Sequence, residues 1–225
     1  MDVEFQKKIN KASNMHNTMK CFVYVLEELN DVDSQLYLNN KYYGNYPEFD
    51  DITLARLKPL HERGLTETNI IYTTQLPYGI AYVRVPGMNA YDAITIYSLA
   101  MALNDSVSKF SNENVKGFIL DLRLNGGGNI YPMLAGLNSL LGNTTIAYET
   151  DADDKQVRKW TMKDGNFYLG DYKATDIPVK PIKKFNKIPV VVLIGPNTKS
   201  SGSITAIAFK NRPNTYFIGE PTANG

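Results

Sequence analysis

Hydrophobic positions follow a helical period at the start of this chain and a mixed strand and helix rhythm over its second half. Residues 11–29 place Met15, Met19, Phe22, Val23, Leu26 and Leu29 on one face, which predicts an amphipathic helix stopping near Asn30 and Asp31. Residues 34–77 are rich in Tyr, Asn and Pro and keep no sustained period, so they read as loops and short elements of a small lobe. Beyond Pro77 the stretch GIAYVRVPG alternates as a strand does, and residues 90–111 read as a long helix. VKGFILDLRLN is a buried strand running into Gly126, Gly127 and Gly128, and YPMLAGLNSLLG is a helix closed by Gly142. Residues 144–175 form a β-rich insertion turning at Asp164-Gly165, and IPVVVLIG is apolar throughout, as in a strand buried on both faces. A helix from Gly202 to Lys210 and the strand TYFIG complete a second β-α-β unit.

Strands alternating with helices predict an α/β domain with a largely parallel sheet, whose chemistry gathers beyond the carboxyl ends of the strands. The expected organisation is an N-terminal helical and irregular lobe over 1–76 and an α/β core over 77–225. The chain stops at EPTANG, directly after a strand, which reads as a fragment of a longer domain.

Composition narrows the function classes. The 225 residues carry 24 basic and 23 acidic side chains, with no basic track interleaved with aromatics, so nucleic acid is not an expected partner. The longest apolar stretch is too short to span a bilayer and no signal peptide is visible, so the chain reads as soluble. Cys21 is the single cysteine and is assigned to packing. His16 and His61 are the only histidines, no Cys/His cluster exists, and neither a metal nor a cofactor is expected.

Two strand-end turns can carry chemistry. LDLRLNGGGN leaves a strand and enters a helix, and its glycines either make a tight turn or aim backbone amides at an anion. Tyr131 stands where a dinucleotide fingerprint needs glycine, and the Gly-Lys-Ser/Thr of a nucleotide phosphate loop is absent. NTKSSGS also follows a buried strand and opens a helix, so Ser200 or Ser201 is either an N-cap or a nucleophile beside the positive end of a helix dipole. One turn rich in amides and one rich in hydroxyls together supply what acyl transfer requires. Arg123 is read as an anchor for the glycine turn, with capture of a substrate carboxylate as the other possibility. The tyrosines of YLNNKYYGNYPE are read as loop packing or as a peptide-binding surface.

Taken together, GFILDLRLNGGGNIYPMLAGLNSLLG, PVVVLIGPNTKSSGSITAIAFKNR and FIGEPTANG resemble the C-terminal processing (tail-specific) peptidases and tricorn core proteases over about residues 78–225. The resemblance implies a crotonase-like fold, serine peptidase chemistry on a peptide or protein substrate, and a location outside the cytoplasm. It makes Ser200 the nucleophile, with Ser201 as the fallback, and assigns the oxyanion hole to the amides of Ser201 and Gly127.

The chain departs from that pattern at several positions. Asp33 stands where the tricorn-like branch carries its catalytic histidine, and Gly225 where the processing peptidases carry a catalytic lysine. Ser203 replaces the glutamate that usually closes the nucleophile turn. A serine hydroxyl needs a base, and an ordinary aspartate, with a pKa of about 3.9, is a weak one at neutral pH. Lys199 adjoins Ser200, but neighbours along such a turn point different ways; His16 and His61 are assigned to surface or packing. These departures define the rival reading, a non-catalytic relative that binds peptides or apolar ligands in the old cleft. A crotonase-like acyl-thioester enzyme is a third reading, and the Ser-Ser-Gly turn argues against it.

Overall fold

A computed structural model describes residues 3–29, 34–38, 40–44, 55, 58–59, 62–63, 70–178 and 185–223. The chain divides into two compact units, Met1–Thr53 and Leu54–Gly225.

The first unit pairs helix α1 (Val3–Asn10) with helix α2 (Met15–Leu29) and adds a hairpin of β1 (Gln35–Leu38) and β2 (Lys41–Gly44). Asn14 starts α2 by accepting the Asn17 amide at 2.9 Å, which explains why the helix opens at Met15 and not at residue 11. Phe5 and Phe22 hold the two helices together with ring centroids 6.2 Å apart. Cys21 is buried and its thiol donates to the Asn17 carbonyl, in keeping with a packing role. The hairpin falls in the region read as loops and short elements; its strands are four residues each, too short for a period to register.

The second unit is built on a five-stranded sheet in the order β11 (Thr215–Gly219), β10 (Val190–Ile194), β5 (Gly117–Asp121), β4 (Ile80–Arg84), β3 (Tyr72–Leu76). The first four strands are parallel and β3 is antiparallel to β4. The boundary drawn at 76/77 therefore cuts a hairpin: β3 pairs with β4 along its whole length, from Tyr72 with Arg84 to Leu76 with Ile80. Polar Thr73, Thr74 and Gln75 hid that strand, because an edge strand has no continuous apolar face to display.

Helix α3 (Ala93–Ser108) begins where the Asp92 carboxylate accepts the Thr95 amide. Helix α4 (Ile130–Gly136) is capped in the same way by Asn129, and the short α5 (Asn138–Leu141) ends at Gly142, whose φ of 70° makes the left-handed stop that the sequence announced. Val83, Leu120, Val190 and Val192 of the sheet meet Leu103 and Val107 of α3, Met133 and Leu134 of α4, and Leu140 of α5 in one fully buried core. Each such side chain contributes about 1.5–3 kcal/mol by leaving water.

The insertion is a four-stranded antiparallel sheet of β6 (Thr144–Thr150), β7 (Gln156–Lys163), β8 (Asn166–Leu169) and β9 (Tyr172–Lys173). Asp164 and Gly165, both at positive φ, form the turn between β7 and β8. Phe167 ties this sheet to the core, its ring lying 5.5 Å from Trp160 and 5.6 Å from Tyr131. Helix α6 (Ser201–Ala208) leaves the carboxyl end of β10 and leads to β11. The two turns singled out above thus follow adjacent parallel strands, β5 and β10.

Candidate active site

Parallel pairing of β5 with β10 brings the 125–128 turn and the 198–202 turn together, and backbone bonds lock them. The Lys199 amide donates to the Asn125 carbonyl at 3.0 Å, and Gly202 lies so close that a Cβ there would stand 2.5 Å from the same oxygen. Thr198 fixes the base of the second turn, since its buried hydroxyl donates to the Leu122 carbonyl and accepts from the Gly195 amide. These contacts explain the glycine of Ser-Ser-Gly: a side chain at 202 would force the turns apart.

Ser200 stands at the head of α6 with φ 49° and ψ −123°, a conformation that costs a non-glycine residue about 1–3 kcal/mol. Its hydroxyl makes no capping bond to the first turn, which overturns the N-cap reading. An N-cap sits in the extended region, and this backbone does not. Ser201, the next residue, is largely buried and its hydroxyl donates to the Gly128 carbonyl at 2.6 Å.

Asn125 organises the glycine turn from within. Its carboxamide oxygen accepts the Gly127 amide at 3.0 Å, an Asx turn of the kind that Asn followed two residues on by glycine favours. The Gly127 carbonyl accepts from the Met88 amide, and the Asn129 amide donates back to the Met88 carbonyl. A trans peptide points its N–H opposite to its C=O, so the Gly128 amide faces away from Met88. Among the described residues nothing accepts the amide protons of Gly128 or Ser201. Gly128, Ser200 and Ser201 share a cleft of about 540 Å³ with Asn89, Tyr91 and Tyr131, and Gly127 is not part of its lining.

Beside the turn, Arg123 is anchored as its fork geometry suggests. Its Nε and Nη2 donate to the two oxygens of buried Asp121 at 3.0 and 2.7 Å, and Tyr82 donates to Asp121 at 2.6 Å. Burial pushes the Asp121 carboxyl up, but the hydrogen bonds from Arg123 and Tyr82 outweigh it and hold the group below the usual carboxylate range. The Tyr82 hydroxyl is pushed up to about 12, first by burial and then by its bond to Asp121.

The remaining sequence candidates are not brought to this cleft. Lys199 is exposed and does not line it. His16 lies on α2 in the first unit. Asp33, His61 and Gly225 lie outside the described residues. Ser203 donates to the Thr198 carbonyl and lines a small apolar cavity between α6 and β11. Among the described residues no cluster of three or more His, Cys, Asp or Glu could hold a metal ion.

The model of peptidase family S41 matches residues 79–225, which take in both turns and the sheet that carries them. The chain belongs to peptidase family S41. The nisin-resistance protein of Lactococcus lactis is 34% identical over 116 residues, 52% of this chain and 35% of that protein. A carboxy-terminal-processing protease of Bartonella bacilliformis is 28% identical over 125 residues, 56% of this chain and 25% of that protein. The chain therefore spans about a third and a quarter of these two relatives. A solved lipoprotein of Streptococcus agalactiae, 21% identical, has the same fold over 97% of this chain and 66% of its own, with a TM-score of 0.62.

The structure adds residues that the sequence pattern did not single out. Asn125 and Met88 hold the glycine turn by hydrogen bonds, and Gly128 lines the cleft with the two serines. Asn125 was legible as an Asx-turn residue; the part of Met88 was not, since its role is carried by backbone alone.

Proposed function

We propose that this S41 chain is the core of a serine peptidase that cuts peptide or protein substrates through an acyl-enzyme, with Ser200 as nucleophile. The observation that carries the reading is the strained Ser200 backbone in a cleft it shares with Gly128 and Ser201, whose amide protons no described residue accepts. Strain of this kind persists where the surroundings enforce it and collects at catalytic positions. In the reaction the Ser200 hydroxyl attacks the scissile carbonyl and loses its proton to a base, and the carbonyl oxygen becomes an anion. The amides of Ser201 and Gly128 then stabilise it, each by about 2.7–4 kcal/mol in the transition state. Gly128 takes the role the resemblance gave to Gly127, because the Gly127 amide is already engaged by Asn125. The parallel strands β4, β5, β10 and β11 with α4 and α6 at the ends of β5 and β10 support a crotonase-like assignment. The S41 relationship and a solved neighbour that is a lipoprotein support a location outside the cytoplasm.

The base is the open term of the mechanism, and Asp33 is its sequence address. An aspartate in place of histidine favours the second reading, a peptide-binding relative that does not cut. Incubation of the chain and of an Asp33→His variant with a peptide mixture, followed by mass spectrometry of new termini, separates the two. Cleavage that Ser200→Ala abolishes supports the peptidase; binding without cleavage in both proteins supports the relative.

A further inference from the structure

We infer that the Ser201 hydroxyl is a positioning group that clamps the glycine turn against α6 and so sets the distance between the two oxyanion donors. This inference rests on the peptidase reading for its catalytic consequence, but the clamp itself is a matter of geometry.

The turn is gripped from two sides. On one side Met88 holds it by two backbone bonds, accepting from the Asn129 amide at 2.6 Å and donating to the Gly127 carbonyl at 3.0 Å. On the other side a side chain of α6 reaches it: the Ser201 hydroxyl, which donates to the Gly128 carbonyl at 2.6 Å. The Asn129 amide and the Gly128 carbonyl belong to one peptide, so Met88 and Ser201 fix that peptide plane at both ends. The Gly128 amide lies on the preceding peptide, whose Gly127 carbonyl Met88 holds, and the Ser201 bond ties this pair of peptides to α6. Ser201 thus enters twice: it lines the cleft beside Gly128, and its hydroxyl ties the Gly128 carbonyl to α6.

The commitment of this hydroxyl separates the roles of the adjacent serines. Ser201 is a donor to a carbonyl in a largely buried setting and anchors the first turn of α6, its own carbonyl accepting from Thr205 at 2.7 Å. Glycines at 126–128 make the turn deformable, so the fixed spacing has to come from groups outside it. Alanine at 201 keeps the backbone amide and removes the clamp alone.

The test compares Ser201→Ala with Ser203→Ala, which removes a hydroxyl from the same helix that bonds the Thr198 carbonyl instead. Amide hydrogen exchange at Asn129, whose N–H is held by the Met88 carbonyl in the gripped peptide, reports the clamp without reference to catalysis. Fluorophosphonate labelling of Ser200, in the unaltered chain and in Asp33→His, reports its consequence. Ser201→Ala is expected to speed exchange at the Asn129 amide about tenfold, because its peptide loses the bond that holds its other end. It is expected to slow Ser200 labelling about ten- to a hundredfold, as misplacement of a catalytic donor does. Ser203→Ala is expected to leave both unchanged. Unchanged exchange in Ser201→Ala overturns the clamp whether or not Ser200 reacts. Faster exchange with an unchanged labelling rate overturns the positioning role. An adduct on Ser201 overturns the inference outright, and a Ser200 that labels in neither background overturns the peptidase reading while the exchange result still decides the clamp.

Discussion

Gly127 lies against Ser200 so closely that a Cβ on the glycine would stand 2.9 Å from the serine Cβ and 3.3 Å from its hydroxyl oxygen. The strained serine is therefore braced by the turn that faces it. With φ at 104°, Gly127 also occupies backbone space that other residues rarely enter. Gly127→Ala is expected to lower stability by about 1–3 kcal/mol and to displace Ser200. Thermal unfolding and fluorophosphonate labelling check both effects. Gly126→Ala is the control, because nothing lies within 4 Å of a Cβ there, and it is expected to change neither.

Asp121 links the sheet to the glycine turn, and its protonation should set the acid limb of stability. Burial opposes its charge, yet Arg123 and Tyr82 hold its carboxyl below the ordinary value near 3.8. A depressed carboxylate contributes stability that is full above the unfolded value and is lost as pH falls through the folded one. Asp121→Asn should therefore cost about 2 kcal/mol at neutral pH, with the deficit shrinking as pH falls below about 4. Urea midpoints of both proteins between pH 7 and pH 2 check this. A deficit that stays constant across that range contradicts it.

Arg212 is buried with no carboxylate partner among the described residues, and burial pushes its guanidinium down to about 10. It donates instead to the carbonyls of Leu140, Phe185, Ile188 and Pro213, closing the segment before β10 onto α5. Arg212→Met fills much of the volume but leaves those oxygens unpaired. The expected loss is roughly 3–5 kcal/mol, read by chemical denaturation. Where the variant remains folded, Ser200 labelling is expected to be unchanged, which distinguishes a structural from a catalytic arginine.

The residues that announced the fold were those whose surroundings are local or wholly apolar. VVVLI was legible as a strand, with Val190 and Val192 fully buried and Val191 and Leu193 partly so, Asp164-Gly165 as a hairpin turn, and Gly142 as a helix stop. Edge strand β3 was hidden because Thr73, Thr74 and Gln75 carry no apolar alternation, and its partner β4 is what makes it a strand. Helix α1 has only eight residues, too few for its apolar Phe5 and Ile9 to establish a period. At the cleft, the hydroxyls and glycines were legible as residue types. Which amide is engaged and which is available depended on Asn125 and Met88, and on bonds across the sheet that no spacing encodes. Ser200 was equally readable as a cap until its backbone angles excluded that role.

The most direct test of Ser200 as nucleophile is fluorophosphonate treatment of the unaltered chain, Asp33→His and Asp33→His with Ser200→Ala, with the adduct mapped by peptide mass spectrometry. An adduct on Ser200 in Asp33→His, weaker or absent with aspartate at 33 and lost with Ser200→Ala, is the predicted result. An adduct on Ser201, or none on Ser200 in any of the three proteins, would contradict the assignment.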